Sequence, residues 1–142
     1  MSLPSSLYFV LVVIFASTLD VPSAFAQAPI VAVSVEPNED VFEKSGHSKP
    51  LVLQSKQDAT KYFGEKQLAK LTDQVDFSKQ MVLVFAWRGS GQDKLEYVVM
   101  ESYPEQIAFS HQPGRTRDLR PHVKVFALRS NVKWSCKKQQ GQ

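Results

Sequence analysis

The chain has 142 residues, carries 17 Lys or Arg against 14 Asp or Glu for a formal net charge of +3, and is 43% hydrophobic. That length has room for one domain. A single cysteine, Cys136, excludes an intramolecular disulfide, so the fold must rest on its hydrophobic core, which is feasible above about 100 residues.

The N-terminus reads as an export signal. Residues 7–16 form a continuous apolar stretch of signal-peptide length, and Ala24-Phe25-Ala26 matches the small-x-small cleavage pattern. Residues 1–26 are therefore expected as a signal peptide and Gln27 as the first mature residue, which makes the protein periplasmic or secreted. The stretch before the apolar run lacks Lys and Arg, and an uncleaved anchor is the alternative. The run is too short for a comfortable membrane span, and no second stretch of spanning length follows. Gln at position 27 excludes a lipid attachment site there. Cleavage removes Asp20 and no basic residue, raising the net charge to +4.

The remaining charge is skewed. From Gln106 onward there are eight Lys or Arg and one acid, Asp118. Such a skew favours anionic partners: an acidic protein, a polysaccharide, a phosphate or a membrane surface. A merely solvated basic face is the plainer reading, and export argues against nucleic acid. Cys136 is read as a half-buried, inert thiol rather than an exposed thiol or an intermolecular bridge.

Residues 27–49 are expected as an N-terminal extended segment. Within it, 28–35 alternates weakly as a strand or arm, 37–40 is a turn or linker, and 41–44 reads as a short strand. The polar stretch 45–50 forms turns. A single α+β domain is expected over 50–136, opening with a short strand at 51–53. Ala59, Tyr62 and Phe63, then Leu68 and Leu71, recur at helical spacing on either side of Gly64. They predict two short helices, 58–63 and 65–71, with Ser55 or Asp58 as a cap.

The run 81–87 is unbroken, apolar and rich in β-branched and aromatic residues. It reads as a strand buried on both faces, with Met81, Leu83, Phe85 and Trp87 on one and Val82, Val84 and Ala86 on the other. Further strands are expected at 95–101, 107–111, 123–128 and 132–135, with a disordered polar tail over 137–142. Helix followed by strands on short turns predicts an α+β fold: a mostly antiparallel sheet of about five strands with one or two short helices on one face. Strand direction alternates in such a meander, which places loops 88–94 and 112–122 at the same end.

That shared end carries the candidate binding residues Arg88, Ser90, Gln92 and Asp93 from the first loop, and Arg115, Thr116, Arg117, Asp118, Arg120 and His122 from the second. Trp87 and His111 flank them. Arginines beside free loop amides suit a carboxylate, sulfate or phosphate. Alternatively, Asp93 and Asp118 pair with these arginines and only fasten the loops together. Asp93 would then lie near Arg115, Arg117 or Arg120, and Asp118 near Arg88.

Sharper chemistry finds little support in the spacing. Arg88-Gly89-Ser90-Gly91-Gln92 is not G-x-S-x-G and leads into a strand, so it is no nucleophile elbow. It is no phosphate loop either, lacking Gly-Lys-Ser/Thr and a following helix. A triad of Ser90 with His122 and Asp93, or with His111 and Asp118, is conceivable by residue type alone. His47, His111 and His122 are too scattered for a zinc motif, and no metal or cofactor is expected. Trp87 and Trp134 read as core anchors, with Trp87 at a loop edge also placed to stack on a sugar.

Asp76-Phe77-Ser78-Lys79-Gln80-Met81-Val82-Leu83-Val84-Phe85, and the strand 122–128 after Pro121, resemble the C-terminal domain of bacterial protease-stabilising PrcB-type proteins. That family's turn is usually Thr-Gly-Gly-Tyr; here it is Gly89-Ser90-Gly91-Gln92-Asp93. The chain is also similar to secreted bacterial domains of unknown function with a Trp-x-Gly-Ser-Gly-Gln-Asp loop and a Thr-Arg-Asp-Leu-Arg loop. The resemblance implies a non-enzymatic, exported α+β domain. The expected function is a non-catalytic binding module for a protein, peptide or anionic envelope polymer. The alternatives are a small exported hydrolase using Ser90 or a loop histidine, and a structural envelope component.

Overall fold

The computed structural model describes residues 28–138. The expected signal peptide and the end of the tail, 139–142, lie outside the described residues.

The central strand organises the fold. β3 (Gln80–Gly89) sits inside a four-stranded sheet of order β1-β6-β3-β2, between β6 (Arg120–Arg129) and β2 (Leu51–Leu53), with β1 (Ile30–Ala32) on the far side of β6. All three pairings are antiparallel. Both faces of β3 are covered, as its apolar run requires. Val82, Val84 and Ala86 pack beneath the helices, against Leu71, Phe63 and Val41. Leu83, Phe85 and Trp87 point the other way, onto Leu95, Ile107 and Phe109 of a second sheet.

That second sheet is where the single-sheet expectation is corrected. It has three strands in the order β4 (Lys94–Met100), β5 (Gln106–Gln112) and β7 (Lys133–Cys136). Consecutive strands β3 and β4 are therefore not neighbours, nor are β5 and β6, and the described residues form seven strands rather than about five. The reason is burial. One sheet with helices on one face would leave Leu83, Phe85 and Trp87 in water, and about 25 cal/mol per Å² of apolar surface favours covering them. β4 and β5 pair antiparallel, whereas β5 and β7 pair in parallel because β6, in the other sheet, carries the chain back between them.

The helical layer is short. α2 (Lys56–Ala59) is capped by Ser55, whose Oγ accepts the Asp58 N–H at 3.1 Å. α3 (Glu65–Gln74) follows Gly64 and buries Leu71 completely. Residues 41–44, expected as a strand, form a helical turn instead, α1 (Val41–Lys44). The N–H groups of Val41, Phe42 and Glu43 bond back to the carbonyls of Asn38, Glu39 and Asp40, so the turn signal at 37–40 starts a helix rather than a linker. The stretch 28–49 also belongs to the same packed unit. β1 is a strand of the first sheet, and Val33, Val35 and Val41 lie in the helix-side core. Among the described residues no helix is long and apolar enough to cross a membrane.

Candidate loop-corner site

Two ladders end at the same place. The β3–β6 register finishes at Gly89 opposite Arg120, and the β4–β5 register starts at Lys94 opposite Gln112. Segments 90–93 and 113–119 thus cross side by side from one sheet to the other. The two loops share an end because each reverses the chain, whichever sheet receives the next strand.

Side chains brace them. Asp93 Oδ1 accepts the Gly114 N–H at 2.7 Å, and its Oδ2 accepts the Trp87 indole N–H at 3.0 Å. Ser90 Oγ accepts the N–H groups of Gln92 and Thr116, each at 3.2 Å, and meets the Thr116 hydroxyl. Asp118 Oδ1 accepts the Gly91 N–H at 3.0 Å, while its Oδ2 takes the Arg120 Nε–H at 2.6 Å. The approach at Gly114 is too close for any side chain: a Cβ there would lie 2.7 Å from the Gln92 backbone carbon.

Behind the loops lies an aromatic cluster that unites all three histidines of the chain. Trp87 stacks on His122 with ring centroids 4.9 Å apart and meets His111 edge-on at 5.8 Å. His47 stacks on His111 at 4.0 Å. His122 Nε2 is 2.7 Å from the Ser90 carbonyl oxygen. His111 Nε2 lies 3.3 Å from Asp93 Oδ2 without an aligned hydrogen bond, and both groups are deeply buried, with side chains 9% and 7% exposed. His47 is the residue missed by sequence reasoning. It reaches the cluster because β2 pairs with β3 through Leu51 opposite Val84, a register that carries the preceding turn alongside Trp87. Ser45 Oγ holds that turn in place by accepting the Ala86 N–H at 3.1 Å.

The charges follow these contacts. Burial pushes the Asp93 carboxyl up, but the Gly114 N–H, the Trp87 indole and His111 together outweigh it and leave it below the ordinary carboxylate value. The Thr116 hydroxyl, the Gly91 N–H and Arg120 hold Asp118 well below that range. Burial, followed by the adjacent His111 ring, lowers His47, and Asp93 opposes the shift. Among the described residues no group of His, Cys, Asp or Glu is arranged to hold a metal ion.

The candidate residues divide accordingly. Ser90, Gln92, Asp93, Arg115, Thr116, Arg117, Asp118, Arg120 and His122 all belong to the corner or its base. Arg88 does not. Its guanidinium bonds Glu39 at 2.8 Å and lies 4.7 Å over the Phe42 ring, on the α1 side of the sheet. The expected pairings also change. Asp93 binds the indole and a backbone amide rather than an arginine, because Trp87 and His111 enclose it. Asp118 pairs within its own loop, with Arg120, rather than with Arg88. The Ser90 hydroxyl bonds to Thr116 and Gln92, and the nearby His122 nitrogen contacts its carbonyl instead, so this geometry gives a serine triad no support.

What remains at the surface is a helix-backed pair of sheets ending in a braced corner that projects Arg115 and Arg117 into solvent. No family model, curated protein or solved structure matches the chain.

Proposed function

We propose that this protein is an exported, non-catalytic binding module that uses the corner formed by loops 88–94 and 112–122, with a protein, peptide or anionic envelope polymer as its partner. One observation carries the reading. Arg115 and Arg117 are exposed on a loop fastened at Gly91, Ser90 and Asp93, and neither has a carboxylate partner among the described residues. Guanidinium groups held out on a braced loop suit forked bonding to carboxylate, sulfate or phosphate. The leader-like residues 1–26 and the resemblance to PrcB-type domains support export and a role without turnover.

The test is retention on immobilised polyglutamate across a salt gradient. Arg115→Ala with Arg117→Ala should elute at clearly lower salt than the unaltered protein. Lys79→Ala with Lys133→Ala, at the opposite end of the strands, removes the same charge and should elute close to the unaltered protein. Equal losses in the two variants would reduce the effect to net charge and defeat the reading. The mass of the exported protein should correspond to a chain starting at Gln27.

A further inference from the structure

The first sheet has an open edge that begins at the arginine corner. β6 pairs with β3 from Arg120 to Arg129, but on its other side β1 covers only Phe126, Ala127 and Leu128. One more bond, from the Val33 N–H to the Val125 carbonyl at 2.9 Å, ends the ladder. Continued register would set Val35 opposite Val123. Instead the arm turns toward α3, where the Glu36 N–H bonds Gln67 Oε1 at 3.2 Å.

The ladder shows which groups this leaves open. The Arg129 N–H bonds the Pro29 carbonyl on the same edge, so odd-numbered residues of β6 direct their N–H and C=O groups there. The N–H groups of Val123 and Val125 and the carbonyl of Val123 therefore face this edge with no bonded partner among the described residues. A groove of about 510 Å³ lies beside them, lined by 32–36 and 123–126 and by Gln67 and Lys70 of α3.

Charge selects the occupant. The exposed Lys70 and Lys124 line the groove against a single acid, Glu36, and its β6 wall leads back into Arg120 and the loop bearing Arg117 and Arg115. Lysine on an open strand edge discourages pairing with neutral or basic strands. It does not discourage an acidic one. We propose that this groove receives an extended acidic peptide, which adds a strand to the free edge of β6 and sets its carboxylates against Lys70 and Lys124. Main-chain bonds supply affinity in this mode, and alternate side chains supply selectivity. The proposal rests on the binding-module reading and names its partner class as an acidic segment of another polypeptide.

The experiment is fluorescence anisotropy on the purified protein with a labelled nonapeptide of glutamate carrying valine at every third position, so that both faces of the added strand present carboxylates, as Lys124 on the second-sheet face of β6 and Lys70 on the α3 face require. Lys70→Glu with Lys124→Glu should weaken binding at least tenfold while the melting temperature holds, since both side chains are exposed. The peptide with lysine for glutamate should not bind, and a fully N-methylated version, keeping the charge but lacking the donors, should also bind at least tenfold more weakly. Equal binding of the N-methylated peptide would overturn strand addition. Loss of peptide binding in Arg115→Ala/Arg117→Ala but not in Lys70→Glu/Lys124→Glu would refute the groove and leave the corner reading standing. Absence of any peptide binding while polyglutamate retention still depends on the arginines would do the same. A dimer in sedimentation that the peptide does not dissociate would assign the edge to a second copy, overturning the proposal.

Discussion

Asp93→Ala is expected to release the loop corner. The carboxylate is 7% exposed and accepts two N–H groups, from Trp87 and Gly114, while standing beside His111. Truncation strands both donors, and each buried donor left without a partner costs about 1–3 kcal/mol. Because water can enter at the Gly114 side, the sum should fall at about 2–4 kcal/mol, a large share of the roughly 5–15 kcal/mol available to a domain. Urea unfolding followed by circular dichroism measures it. The pH dependence gives a second signature. The folded-state pKa of Asp93 is depressed, so its contribution is fully present above the unfolded value near about 3.9 and is lost as pH falls through the lower folded value. The variant should lack that component of acid unfolding. A double-mutant cycle with Trp87→Phe should show coupling of about 1–3 kcal/mol, whereas a cycle with Arg117→Ala should fall within about 0.5 kcal/mol of zero. A change in stability below about 0.5 kcal/mol, the range of an ordinary surface substitution, would refute the reasoning.

Phe85→Ala should destabilise by about 3–5 kcal/mol in the same urea assay, because the ring is fully buried against Phe109 at 4.8 Å and Phe126 at 6.1 Å; an unchanged midpoint would contradict that packing. Gly114→Ala forces a methyl against the Gln92 backbone and should cost about 1–3 kcal/mol while weakening polyglutamate retention, the two effects being read by thermal melting and by the salt gradient. His47 has a lowered folded-state pKa, so the unfolded chain binds its proton more readily and stability should fall as pH drops below the unfolded value near about 6.5. His47→Gln should flatten that fall below about pH 6.5, and urea midpoints with an unaltered slope would remove His47 as its source.

The residues alone determined the central strand, its two faces and the end at which the loops meet. An apolar run with no polar alternation has to be covered on both sides, and side chains two residues apart have to share a face. The meeting of loops was legible because a short connection reverses the chain, and reversal does not depend on which sheet the next strand joins. Tertiary structure decided what covered each face. Alternation marks Leu83, Phe85 and Trp87 as a set needing burial, but another strand layer and another helix would satisfy it equally, so the division into two sheets was hidden. It also decided the partners of the charges. Asp93 and Arg117 are attractive neighbours in sequence terms, yet the indole of Trp87 and the Gly114 amide lie closer once the sheets stack. Arg88 turns with the alternation of β3 onto the α1 face and meets Glu39, 49 residues away in the chain. His47 joins Trp87 and His111 only because β2 runs beside β3. Periodicity records the direction in which a side chain points; the segment waiting there is set by packing between parts of the chain that local pattern cannot relate.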